Sequence, residues 1–256
     1  MFYNIDFHIH TNFSDGEGSI EEVLSRAAGL GLKAIAITDH FEFADLGQLE
    51  PKMAALKKHL RAIRRQAVKY RLQVFTGIET GYDFPVGTEL REMVDIIIRS
   101  IHSWPQGIDF KKVQLMDPVI WEIYKEQVLK LLQMHNTDIA GHMMGYFPFP
   151  PEQITGLSFA DKRLVEREIR NKFFDQRWQA EVIKLAAGNN IAIEIHNPTL
   201  APGPEFARAA ASKGVRFSLG SDAHRLSWVG KVDYGCQIFS QLKLTEKNLF
   251  WPGGGS

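Results

Sequence analysis

The sequence predicts an α/β chain whose parallel strands close, or nearly close, into a barrel. Short β-rich runs alternate with amphipathic helices along the chain, which implies a parallel sheet. No glycine-rich phosphate loop follows the first run, as an open doubly wound sheet would often show. Seven such runs in one chain of 256 residues suit a barrel better than two small domains.

The strands are expected at 5–10, 33–39, 73–79, 94–102, 137–142, 191–196 and 216–222. Helices are expected near 19–30, 52–71, 121–135, 161–187 and 203–213. The first strand is "IDFHIH". Ser19 and Glu22 have capping-box spacing at the start of the first helix, and Gly31 suits its C′ position. "KAIAIT" then reads as a buried strand. In the second helix Met53, Leu56, Leu60, Ile63 and Ala67 share one face. Its basic run, Lys57 to Arg71, falls opposite and reads as a solvated face rather than a phosphate-backbone contact. "KLAAGNNIAIEIH" and "ARAAASKGVRFSLGSD" repeat the helix–glycine–strand plan, with Gly188 and Gly214 as stops. Residues 1–250 are expected to form one domain, and 251–256, "WPGGGS", a flexible tail.

Composition narrows the class. A hydrophobic fraction of 45% and a charged fraction of 23% are those of a globular protein. Formal net charge is zero, which argues against general binding to nucleic acid or anionic membrane. The single cysteine, Cys236, leaves no intrachain disulfide framework. With no basic stretch leading an apolar N-terminal run and no apolar segment of spanning length, a cytoplasmic location is expected.

The polar residues carry the functional signal. Strand one ends in His8 and His10, with Asp15 just beyond. The next ends in Asp39 and His40, followed by Glu79, His102 and His142 on strands three to five. Strand six ends in Glu194 and His196, and strand seven in Asp222, followed by His224. The C-terminal end of a parallel barrel is where the site lies. His8 and His10 are two apart and so share a side, while Phe7 and Ile9 are expected to point toward the helices. One strand-end histidine is more often a hydrogen-bonding or surface residue than a ligand. Here seven of the chain's nine histidines take such positions; His59 and His135 are expected inside helices without a functional role. Carboxylates grouped this closely would repel one another without cations, so a multinuclear metal site is expected.

In order, "HIHTNFSDG", "AITDH", "GIE", "SIH", "GH" and "GSDAH" resemble the polymerase-and-histidinol-phosphatase (PHP) superfamily of metal-dependent phosphoesterases over nearly the whole chain. The resemblance implies a distorted (β/α)7 TIM-like barrel and up to three divalent metals. It implies one metal on His8, His10, Glu79 and Asp222. A second would lie on Glu79, His102 and His142, with Glu79 bridging, and a third on Asp15, His40 and His224. Some members carry histidine where this chain has Asp15. Mixed imidazole and carboxylate donors suit zinc, manganese or iron. Hydroxide held by the first two metals is the expected nucleophile, with Glu79 and Asp222 as catalytic donors.

The expected reaction is hydrolysis of a small phosphomonoester, with histidinol phosphate favoured. A nucleotide or short oligonucleotide is the second reading, and a non-catalytic metal-bound scaffold the reading from another class. Substrate contacts are expected from Arg225, Arg163 and His196, with His196 either an acid for the leaving alcohol or a residue that steadies the site from behind. Arg163, Arg167 and Arg170 share a helix with Glu166 and Glu168, for which a solvated ion-paired face is the plainer reading. Asp39 and Glu194 are expected to hold ligand histidines from behind. The loop "MMGYFPFPPEQITG", Met143 to Gly156, either walls a pocket or packs against the barrel.

Overall fold

The computed structural model describes residues 4–105, 108 and 113–253. Seven strands pair in sequence order and all in parallel: β1 (Ile5–Ile9), β2 (Ala34–Ile37), β3 (Gln73–Gly81), β4 (Ile96–Ser100), β5 (Ile139–Ala140), β6 (Ala192–His196) and β7 (Phe217–Gly220). β7 returns to β1 through a parallel bridge between Ile9 and Ala223, where the His10 N–H donates to the Ala223 carbonyl at 3.0 Å. Asp6 reinforces the seam: its carboxylate accepts from the Ser221 N–H at 3.0 Å, the Ser221 hydroxyl at 2.6 Å and the Gly230 N–H at 2.8 Å. The result is a nearly closed α/β barrel of seven strands, as expected.

The helices are α1 (Ile20–Gly29), α2 (Leu49–Ala67), α3 (Thr88–Met93), α4 (Pro118–Leu131), α5 (Pro151–Ile154), α6 (Phe159–Phe173), α7 (Gln176–Gly188), α8 (Pro204–Ser212) and α9 (Asp233–Leu242). The Ser19–Glu22 capping box forms as read. Gly31 and Gly214 take positive φ, +70° and +81°, where a side chain would be strained. After α7 that role falls to Asn190, φ +56°, and not to Gly188, which is the last helical residue. The single helix expected over 161–187 is two. Phe174 leaves helical geometry, and Asp175 caps a new helix by accepting from the Trp178 N–H at 2.9 Å. α3, α5 and α9 were not anticipated. His135 lies beyond α4 rather than inside it.

Two faces of the sheet pack differently. Ile9, Ile35, Ile37 and Ile78 bury against α1 and α2 through Leu24, Ala27, Leu56, Leu60 and Ile63. Phe7 does not join them. The pairing of β1 with β2 shifts register between Asp6 and Ile9, and Phe7 instead packs edge-on to Phe75 (5.7 Å), Phe250 (6.4 Å) and Trp251 (5.5 Å). These rings plug the N-terminal end of the barrel. Trp251 is therefore packed, although the sequence places it in the tail; Gly254, Gly255 and Ser256 lie outside the described residues. Among the described residues no helix is long and apolar enough to cross a membrane.

Candidate metal centre

The opposite end of the barrel gathers the strand-end side chains. Past the register shift, His8 and His10 both face inward. His8 Nε2 lies 3.2 Å from Glu79 Oε2 and 3.6 Å from Asp222 Oδ1. His10 Nε2 lies 3.4 Å and 3.2 Å from the same two atoms. The other Glu79 oxygen, Oε1, meets His142 Nε2 at 3.0 Å and His102 Nε2 at 3.2 Å. His224 Nε2 and His40 Nε2 approach Asp15 Oδ2 at 3.1 Å and 3.7 Å, and His40 Nδ1 reaches Glu79 Oε2 at 3.2 Å. The nine residues expected as ligands thus form three adjoining sets, with Glu79 between the first two and His10 close to the third.

The arrangement fits cations. His8 Nε2, His10 Nε2, His40 Nδ1, Glu79 Oε2, His102 Nε2 and Asp222 Oδ1 are buried without a hydrogen-bond partner. Buried polar atoms are rarely left so. Their spacing is that of donors sharing an ion: two ligands about 2.1 Å from a tetrahedral metal stand about 3.4 Å apart. Burial would raise the Glu79 carboxyl, but His8 and His102 hold it well below the ordinary range. Asp222 is likewise held low against burial by His8, His10 and His196. His142 and Asp222 carry positive φ, +23° and +50°, so backbone strain accompanies two of the donors.

A surrounding layer aims these rings. Glu194 is buried; one oxygen meets His8 Nδ1 at 2.7 Å and the other accepts the His142 N–H at 2.7 Å, so it steadies both residues from behind. Gly220 makes room for it, since a Cβ there would lie 2.0 Å from Glu194 Oε1. Asp39 does something else. It accepts from the Thr11 N–H (2.6 Å), the Thr11 hydroxyl (2.8 Å) and the Ser14 hydroxyl (2.7 Å), and meets His59 Nε2 at 2.8 Å. It fastens the loop that carries Asp15 and does not contact a donor histidine. His59, expected to be inert in α2, is its buried partner. His196 departs from the substrate-contact and acid readings and takes the supporting position instead: fully buried, it meets Asp222 Oδ2 at 3.2 Å and Thr199 at 2.8 Å. With both nitrogens engaged it braces Asp222 and is poorly placed to touch substrate.

A cavity of about 530 Å³ opens onto the cluster. Asp15, His40, Glu79, His102, His142, Asp222 and His224 form one wall. Tyr146, Phe147, Phe149 and Phe159 form another, so the loop after β5 does wall a pocket. Lys162 and Arg163 enter from α6. Arg163 Nε and Nη1 have no hydrogen-bond partner among the described residues, while Nη2 meets Glu166 at 2.8 Å. Arg225 is exposed and absent from the lining, so the expected contact through it is not supported. Two cavity residues carry no distinctive signal in the sequence: Lys162 looks like any helix-surface lysine, and Glu42 follows strand two by too much to count as a strand end. Glu42 lines the cavity and meets His102 Nδ1 at 2.6 Å.

Comparison with known proteins agrees with this picture. The chain is 25% identical over 243 residues to the DNA polymerase/3′-5′ exonuclease PolX of Bacillus subtilis, covering 90% of this chain and 36% of that protein. It therefore spans about a third of the length of that relative. It is 27% identical to a probable histidinol-phosphatase of Deinococcus radiodurans, over 88% of each chain. Its fold matches the crystal structure of histidinol phosphate phosphatase from Lactococcus lactis, complexed with zinc, L-histidinol and phosphate, with a TM-score of 0.62 at 18% identity over 95% of both chains. The PHP domain family itself matches residues 6–198. With that match covering most of a barrel built around this donor cluster, the chain belongs to the PHP domain family.

Proposed function

We propose that this protein is a metal-dependent phosphoesterase that hydrolyses a small phosphomonoester, with histidinol phosphate the favoured substrate, at three divalent metals. The observation that carries this reading is the cavity: unpaired, buried donor atoms on one wall and an unsaturated guanidinium on another. His8, His10, Glu79 and Asp222 would hold one metal; Glu79, His102 and His142 a second; Asp15, His40 and His224 a third. Zinc, manganese and iron suit these donors. Metals bound there supply an acidified water and positive charge for the phosphate. Glu79 offers one oxygen to each of the first two sets and so fixes their separation. Asp222 is held in place by His196. Arg163 and Lys162 offer donors to the phosphate oxygens from the facing wall. Support for the substrate comes from relatives of similar length that are named probable histidinol-phosphatases.

A nucleotide or short oligonucleotide is the second reading, favoured by the match to a polymerase with exonuclease activity and by aromatic side chains able to stack a base. Both readings are tested by phosphate release from manganese-reconstituted protein, with bound metal measured on the same sample. The panel is histidinol phosphate, mononucleotides, a short oligonucleotide and an aryl phosphate. Turnover of histidinol phosphate well above the others is expected. Preference for nucleotides favours the second reading, and no release with metals bound overturns both.

A further inference from the structure

We propose that Glu42 positions His102 and thereby sets the affinity of the metal set formed by Glu79, His102 and His142; this rests on the reading that these three residues hold a metal. The loop after β2 places Glu42 two residues beyond His40. Its Oε1 lies 2.6 Å from His102 Nδ1, and the opposite ring nitrogen, Nε2, lies 3.2 Å from Glu79 Oε1. A neutral imidazole carries one proton, so a carboxylate accepting at Nδ1 leaves the Nε2 lone pair facing Glu79 and His142. The same contact fixes the ring plane and raises its basicity.

Space for the pair is built into β3. A Cβ on Gly81 would come within 2.6 Å of Glu42 Oε2, so the glycine two residues past Glu79 clears a place for this carboxylate. His8 has the equivalent contact from Glu194, at 2.7 Å. Glu194 is sealed in the barrel, however, whereas Glu42 is partly exposed and lines the cavity. Glu42 also lies near His40, close enough for His40, Glu42 and His102 to share an ion. To do that through Oε1 it would have to release the nitrogen of His102 that points away from Glu79. The observed contact favours positioning over direct ligation.

The test titrates zinc and manganese into metal-free protein against a chromophoric chelator, and reads the cobalt(II) absorption spectrum of the same variants. The variants are Glu42→Ala, Glu42→Gln and His102→Ala, each checked by its unfolding midpoint. Glu42→Ala is expected to weaken one class of site by roughly 10- to 100-fold and leave the others unchanged. Glu42→Gln, which keeps an acceptor for Nδ1–H, should weaken it less. Wild-type affinities in Glu42→Ala overturn the proposal. So does a uniform loss at all sites with a lowered unfolding midpoint, or a raised KM with metal affinity intact, which would make Glu42 a substrate contact. His102→Ala separates the two layers of argument. If it loses one metal while Glu42→Ala loses none, only the positioning role fails; if it loses none, the metal-set reading itself fails.

Discussion

Arg163 is held by what surrounds it. Its guanidinium lies 4.8 Å from the Phe159 ring centre and 5.3 Å from that of Tyr146, and Glu166 takes one of its nitrogens. The ring faces and the ion pair restrict a long side chain that would otherwise lose rotamer freedom on binding. Two nitrogens have no partner but are buried, so an anion meets them if the guanidinium turns toward the cavity. A charge-assisted hydrogen bond is worth about 1.5–3 kcal/mol. Arg163→Ala is therefore expected to raise KM by roughly 10- to 100-fold, and Arg163→Lys to recover only part of it, since an ammonium lacks the planar fork. Steady-state phosphate release on the preferred panel substrate measures both. An unchanged KM in Arg163→Ala would remove the residue from substrate contact. His196 shows the opposite case: a strand-end histidine by every sequence criterion, yet Thr199 and Asp222 occupy both its nitrogens.

At the scale of elements, β2 disciplines the loop that follows β1. Asp39, two residues past the end of β2, gathers Thr11, Ser14 and His59, while Phe13 stacks on His59 at 4.1 Å. Asp39→Ala would leave several buried donors unsatisfied and is expected to cost about 2–4 kcal/mol. The loop carrying Asp15 should loosen with it. Urea unfolding measures the first effect and metal stoichiometry the second; a variant with full stability and full metal content would contradict the assignment. Much of this level was legible. The donor cluster could be read because strand period and barrel topology together send strand-end residues to one mouth. What alternation cannot report is a register shift, and the one in β1 sends Phe7 to the barrel floor. Nor does helical periodicity register Asp175, where a cap splits one apolar pattern into α6 and α7. Glu42 escaped because its role depends on a histidine sixty positions away, a pairing that only the folded barrel creates.

For the whole molecule, closing the barrel forces acidic groups out of water, and stability should record it. Burial pushes Glu166 from 4.5 up to about 6, even with Arg163 and Arg170 opposing the shift. Burial also raises Asp6 to about 6 at the β1–β7 seam, against its hydrogen bonds from Ser221, Gly230 and His8. Both carboxyls keep their protons to a higher pH in the folded chain than in the unfolded one. Between the two values the folded state binds more protons, so stability falls as pH rises. Glu166's contribution is fully present below about 4.5 and lost as pH passes through about 6. A shift of this size corresponds to about 2 kcal/mol. Glu166→Gln carries no titrating group, so its stability relative to the parent should improve by about 2 kcal/mol between pH 4 and pH 7.5. Urea unfolding of both proteins at the two pH values, without metal so that protons and cations do not compete for the donor cluster, measures that difference. A gap between parent and variant that stays constant with pH would mean that Glu166 titrates alike in the folded and unfolded chains. Arg163 and Arg170 would then fully offset its burial, and closure of the barrel around α6 would carry no proton-linked cost.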